Sequence, residues 1–255
     1  MTSLPGAFLR LPLAHRGLHD ARAGRVENSR AAIRAAIAAG YGIEIDLHPS
    51  RDGQAMVFHD HDLNRLTGAT GPLRAQDAAR LGQIALTGTE EGIPTFAEIL
   101  RLVAGRVPLL VELKDQQGAG DAGDATLESA VAGDLAGYDG PLALMSFNPA
   151  MVRNLADLAP GWPRGLVTCA YSARKFPRLP RKTRESLRAI ADFDATGCSF
   201  ISHEARDLSR PRVAELKRHG AGILCWTIRS PRAEAAARAV AHNITFEGYL
   251  PAIPS

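Results

Sequence analysis

Gly42-Ile43-Glu44-Ile45-Asp46-Leu47, then Pro49-Ser50-Arg51-Asp52-Gly53, then Met56-Val57-Phe58-His59-Asp60: the reading of this run decides the fold. Two apolar strand-like segments flank a cluster of turn residues. A parallel crossover needs about a dozen residues or more, usually a helix. The connection between Asp46 and Met56 is shorter and turn-like. Residues 56–58 are therefore expected as a hairpin arm beside the strand at 42–47, not as an independent strand of a barrel. Successive strand residues point to opposite faces, so Glu44 and Asp46 share one face. Two carboxylates on one face repel unless positive charge sits between them. A hard divalent cation with oxygen ligands is the expected answer, and Mg²⁺ and Ca²⁺ both suit such ligands.

Upstream of this run lies a strand at 11–15, and His15-Arg16-Gly17 opens a loop. A helix follows, capped by Asn28 or Ser29, with Ile33 and Ile37 four apart and Gly40 at its end. Downstream, 60–93 reads as a variable loop with a short helical piece at 75–81. Thr95-Phe96-Ala97-Glu98 is a capping box, and the helix it starts ends at Gly105. Strands are expected at 108–112, 142–147, 165–168, 199–202, 222–227 and 244–246. Helices are expected at 126–135, at 183–191, at 212–218, and from Ser230-Pro231 through Ala241. Asn148-Pro149 is a cap followed by proline at the first helical position, which starts a further helix running to 158. The Gly-rich stretch 115–124 is expected to be mobile, and the loop 172–181 is basic with two prolines. With the hairpin arm set aside, eight strands alternate with helical segments. That is the arithmetic of a (β/α)8 TIM barrel, expected as a single domain over 1–255.

Composition narrows the function. A net charge of +3 is too small to argue for nucleic acid. Cys169, Cys198 and Cys225 lack the close spacing of a zinc site or disulfide framework and favour a reducing compartment. Phe8-Leu9-Arg10-Leu11 is too short and interrupted for a signal segment, and no apolar run approaches a membrane span. A cytoplasmic protein without stable membrane insertion is expected.

Barrels of this kind place functional residues at the carboxyl ends of strands. His15 ends the first strand, Glu44 and Asp46 the second, and His59 the hairpin arm. Glu112 and Lys114 end the third, Phe147 the fourth and Trp226 the seventh. This set resembles that of the glycerophosphodiester phosphodiesterase family, and a phosphodiester hydrolase needs positive charge on the non-bridging oxygens, a base for the nucleophile and an acid for the leaving alkoxide. Glu44, Asp46 and Glu112 can hold one divalent ion. Arg16, a fork matched to phosphate, and Lys114 can add charge. His15 and His59 are the natural acid–base pair near neutral pH.

The set His15-Arg16-Gly17, Glu27-Asn28, Glu44-Ile45-Asp46 and His59-Asp60 resembles the glycerophosphodiester phosphodiesterase family. Weaker echoes follow at Val111-Glu112-Leu113-Lys114, Ser146-Phe147 and Trp226-Thr227. The resemblance implies catalytic roles for His15 and His59, metal ligation by Glu44, Asp46 and Glu112, and phosphate contacts from Arg16 and Lys114. It implies a small-molecule glycerophosphodiester substrate, cleaved to glycerol 3-phosphate and an alcohol. Whether the glycerol hydroxyl or water attacks, and which histidine is the base, stay open. The family's paired threonines read here as Leu66-Thr67, and its closing Thr-Asp-x-Pro reads Thr245-Phe246-Glu247-Gly248-Tyr249-Leu250-Pro251. The second departure puts in question a substrate contact from the last loop.

Blander readings stand beside these. Asn28 reads most simply as a helix cap. His19, His48 and His61 read as surface or supporting residues. His203-Glu204 can touch substrate. Phe147 and Trp226 are core aromatics or walls of a substrate pocket. A lipid-directed phosphodiesterase on the same barrel is the second enzyme reading, weakened because no lipid-anchoring helix or aromatic-basic patch is evident. A catalytically inactive phosphometabolite-binding barrel is the third.

Overall fold

The computed structural model describes residues 2–116 and 123–254. The stretch expected to be mobile, 115–124, lies mostly outside the described residues. Those residues form two compact units, one comprising Leu13–Lys114 with Ala125–Leu142 and the other the remainder.

The first unit holds strands β1 (Leu13–Ala14), β2 (Gly42–Pro49), β3 (Ala55–Val57) and β4 (Leu109–Leu113). Strand β2 runs parallel to β1 and β4, whereas β3 folds back antiparallel, with Leu47 opposite Val57 and His48 opposite Met56. The hairpin arm is thus as the sequence predicts. The barrel-side strand is longer than expected because His48 and Pro49 extend it to pair with β3. A short helix not anticipated from the sequence, α1 (Ala7–Arg10), precedes β1 and belongs to the other unit.

Helix α2 (Arg30–Ala38) is capped by Ser29, whose side chain accepts from the Ala32 N–H. Helix α3 (Ala78–Leu81) lies within the excursion between β3 and α4 (Phe96–Val103). That excursion is more than a loop. Phe58, Leu63, Leu73, Leu81, Leu86 and Ile93 bury themselves together as a small satellite core. Helix α4 starts with the predicted capping box, and α5 (Thr126–Asp134) follows β4.

The second unit alternates β5 (Leu142–Ser146), α6 (Pro149–Leu158), β6 (Arg164–Thr168), α7 (Arg181–Ala189) and β7 (Phe200–Glu204). It continues with α8 (Pro211–Arg218), β8 (Gly222–Ile228), α9 (Pro231–Arg238) and β9 (Asn243–Phe246). Asn148 caps α6 by accepting from the Ala150 N–H at 2.9 Å, with Pro149 at the first helical position. Strands β5 through β9 pair in parallel in sequence order. The sheet order β1-β9-β8-β7-β6-β5-β4-β2-β3, with β1 also paired to β2, makes an eight-stranded parallel barrel with β3 outside the ring. All three cysteines are free and buried. Among the described residues no helix is long and apolar enough to cross a membrane.

Candidate active site

The register of β2 on β4 builds the centre of the site. Asp46 lies directly opposite Glu112, and Glu44 lies two residues earlier on the same face of β2. One oxygen from each of Glu44, Asp46 and Glu112 can be chosen so that all lie within 4.8 Å of one another, and all three residues are buried. Burial, together with the neighbouring Asp46 and Glu112 charges, holds the Glu44 carboxyl well above the usual carboxylate range. Burial also pushes Glu112 up. Asp46 goes the other way. Burial pulls its carboxyl up, but Lys114 and Arg16 outweigh that and hold it well below the usual range. Lys114 Nζ stands 2.6 Å from Glu112 Oε1 and 2.7 Å from Asp46 Oδ1. Arg16 Nε is 3.2 Å from Asp46 Oδ2.

The loop after β1 is bent to meet these acids. Arg16 and Gly17 both take positive φ, 56° and 78°. The Arg16 N–H then donates to Glu44 Oε2 at 3.0 Å, and the Gly17 N–H to the Glu44 carbonyl at 3.2 Å. A Cβ on Gly17 would stand 2.9 Å from the Ala32 carbonyl carbon, so only glycine fits between the loop and α2. His15, just before the bend, has its Nε2 4.0 Å from Glu44 Oε2.

Asn28 is not the helix cap. Its φ is 60°, a conformation asparagine tolerates better than most residues, and its N–H donates to the Arg16 carbonyl at 2.8 Å. Its side chain clamps Asp46. Nδ2 donates to Asp46 Oδ2 at 2.9 Å, and Oδ1 accepts from the Asp46 N–H at 3.3 Å. The cap role belongs to Ser29, one residue on.

His59 follows β3, and the Phe58 N–H donates to the Asp46 carbonyl at 3.0 Å, tying the arm to the acidic strand. His59 Nδ1 lies 2.6 Å from Asp60 Oδ1. Arg65 holds the Asp60 carboxyl down to about 2 through its hydrogen bonds. An ionised Asp60 only accepts, so the proton of the neutral His59 ring resides on Nδ1 and Nε2 carries the lone pair. Burial and the Lys114 charge push the His59 pKa down. The neutral ring is therefore favoured.

An ionic chain that sequence reasoning missed connects these parts. Arg65 also donates to both Glu27 oxygens, at 2.9 and 2.7 Å, and Arg16 Nη1 donates to Glu27 Oε1 at 2.6 Å. His59, Asp60, Arg65, Glu27, Arg16 and Asp46 thus form one continuous network. Arg65 lies in the same motif-rich stretch, but sequence spacing holds no sign that it would reach Glu27. His48 buries its ring and donates from Nε2 to the His59 carbonyl at 2.9 Å, a supporting role.

A sequence model of the Glycerophosphoryl diester phosphodiesterase family matches residues 15–245. The chain belongs to this family.

The family's enzyme class, phosphoric diester hydrolase, follows with it. The chain is 25% identical over 239 residues to YhdW of Bacillus subtilis, provisionally named a glycerophosphodiester phosphodiesterase, covering 89% of this chain and 90% of that one. Among solved structures it is similar to an Oleispira antarctica phosphodiesterase in complex with the product sn-glycerol-3-phosphate. The TM-score there is 0.75 at 25% identity, over 93% of both chains. A glycerophosphodiester phosphodiesterase of Thermotoga maritima shares the fold, with TM-score 0.69 at 20% identity over 92% of both chains.

The remaining sequence-predicted residues of this family member lie in the second unit. Phe147 and Trp226 meet edge-to-face with ring centroids 5.7 Å apart, and Tyr171 meets Phe147 at 6.4 Å. Both rings remain half-buried, and Trp226 Nε1 donates to the Ser202 carbonyl at 3.0 Å. His203 is fully buried, 2.7 Å from Thr168 Oγ1 and 3.2 Å from Asp207 Oδ2, so it is a satisfied core residue with no surface for substrate.

The donor set of the first unit fits a hard divalent cation. It consists of oxygen ligands only, from three buried carboxylates. Asp46 Oδ1 is buried with the Lys114 ammonium 2.7 Å away as its counter-charge.

Proposed function

We propose that this chain, acting as a single barrel domain, hydrolyses glycerophosphodiesters to glycerol 3-phosphate and an alcohol, with His59 as general base and His15 as general acid. The observation that carries the reading is the joint placement of His15, Glu44, Asp46, Glu112, Lys114 and His59 on, or just after, adjacent strands of one compact unit. Glu44, Asp46 and Glu112 would hold one divalent cation, Mg²⁺ or Ca²⁺. Such an ion supplies Lewis-acid charge to the non-bridging phosphate oxygens.

The protein groups divide the proton work. His59 Nε2, with its lone pair freed by the Nδ1–Asp60 hydrogen bond, takes the proton of the attacking hydroxyl. A new P–O bond forms as that proton leaves. His15, beside the Glu44 carboxylate, gives its proton to the alkoxide as the old P–O bond breaks. One water is consumed over the cycle, whether it attacks first or opens a cyclic intermediate. Lys114 and Arg16 place positive charge next to the phosphate position. Phe147 and Trp226 are proposed to pack on the carbon skeleton of the substrate.

The test is glycerol 3-phosphate release from glycerophosphocholine and glycerophosphoethanolamine after chelation, then with Mg²⁺, Ca²⁺ or Mn²⁺ restored singly. Release is expected only with metal. His15→Ala and His59→Ala should each lower kcat by roughly a hundred- to ten-thousand-fold. Release unaffected by chelation would remove the metal from the reading, and wild-type turnover in either variant would remove that histidine.

A further inference from the structure

The charge of this chain is not spread evenly. Residues 172–190, which follow the carboxyl end of β6 and include α7, hold seven of the 30 Lys and Arg but one of the 27 Asp and Glu. The segment carries +6 and the rest of the chain −3, against a total of +3. Arg174, Lys175, Arg178, Arg181, Lys182 and Arg188 are all exposed. Lys175 pairs with Glu204 and Arg181 with Glu185. Arg174, Arg178, Lys182 and Arg188 make no ion pair or side-chain hydrogen bond among the described residues.

Arg184 and Arg188 are like charges four apart on α7, a spacing that weakens a helix. The segment is nonetheless anchored. Leu187 is buried with Cys169 and Tyr171, and Phe176 and Leu179 pack against them. Arg184 Nη1 donates to the Leu179 carbonyl at 2.8 Å, which staples the loop to α7. The unpaired cations therefore project from a fixed platform. The loop reads as basic in the sequence; the structure adds the exposed cations of α7, which follows it directly.

We propose that residues 172–190 are a docking surface for an anionic phospholipid bilayer. One observation favours lipid over nucleic acid. The segment's one aromatic, Phe176, turns onto Tyr171 with ring centroids 5.1 Å apart and offers no free platform for stacking bases. The occupant also matches the chemistry of the site, since glycerophosphodiesters are the polar remnants of glycerophospholipids; this last argument rests on the proposed function.

The test is co-sedimentation of the full chain with phosphatidylcholine vesicles, with and without phosphatidylglycerol, at low and high salt. Turnover of soluble glycerophosphocholine is followed in parallel. Binding is expected only with phosphatidylglycerol and should fade with salt. Each cation near such a surface contributes about fivefold to partitioning. The variant Arg174→Ser/Arg178→Ser/Lys182→Ser/Arg188→Ser should therefore bind roughly a hundredfold more weakly or worse, with soluble turnover and circular dichroism unchanged. A wild type that ignores anionic vesicles at low salt, or a variant that binds them as well as wild type, overturns the proposal. So does preferential binding of RNA or DNA in competition with the vesicles. Vesicle binding without turnover would leave the docking surface standing and bring down the proposed function instead.

Discussion

At Asn28 a single residue meets three demands. It turns the chain with φ at 60°, ties the Arg16 loop through its N–H, and grips Asp46 with both ends of its amide. Alanine at this position would keep none of the side-chain bonds and would adopt the left-handed backbone at a cost of about 1–2 kcal/mol. Asp46 would lose a donor to its charged oxygen while staying buried. Groups that orient metal ligands typically matter by about 10–100-fold in metal affinity. Asn28→Ala should therefore raise the metal concentration needed for half-maximal turnover by about that factor, with a smaller loss at saturating metal. A metal titration superimposable on wild type would show that Asp46 does not need this clamp. In the sequence, Asn28 beside Ser29 offers two equally good caps, and nothing local distinguishes them. The contact that decides is with Asp46, eighteen residues away.

At the level of elements, the site depends on one loop pressed onto one helix. Gly17 sits at φ 78° with Ala32 of α2 where its Cβ would be. Gly17→Ala brings the left-handed penalty of about 1–2 kcal/mol together with a backbone clash. The loop would have to lift, and the Arg16 N–H and the His15 ring would leave Glu44. The expected outcome is a lower urea midpoint and a fall in kcat larger than the stability loss explains at temperatures where the variant is folded. Unchanged kcat would mean that the loop absorbs the methyl group without moving His15. The hairpin arm shows the converse case. Its identity follows from the short Pro49–Gly53 connection alone, because no parallel crossover can be made with so few residues. The excursion after it was less legible. Leu63, Leu73, Leu81 and Leu86 lie at irregular spacing between turns, so no periodicity announces that they share a core.

Across the whole molecule, His48 links the site to pH-dependent stability. The ring is 2% exposed, and burial holds its pKa down to about 4 against an ordinary 6.5. The folded chain keeps His48 neutral, while the unfolded chain takes up a proton near 6.5. Stability from this group is complete above pH 6.5 and is lost as pH falls towards 4, at about 1.4 kcal/mol per unit or about 3 kcal/mol in all. His48→Gln can keep a donor to the His59 carbonyl but cannot titrate. Urea unfolding between pH 6.5 and 4 should show a shallower loss of stability in this variant than in wild type, and equal slopes would mean that His48 is not held neutral. The sequence by itself determined the alternation of strands and helices, the hairpin arm, and the order of histidines and carboxylates along the strand ends. These follow from local periodicity, capping and turn chemistry, which act over a few residues. The tertiary structure alone decided that Asn28 serves Asp46 instead of α2, that Arg65 and Glu27 join His59 to Arg16, and that His203 is buried. Each of these rests on side chains brought together from different elements, and such encounters depend on register and packing that no local pattern encodes.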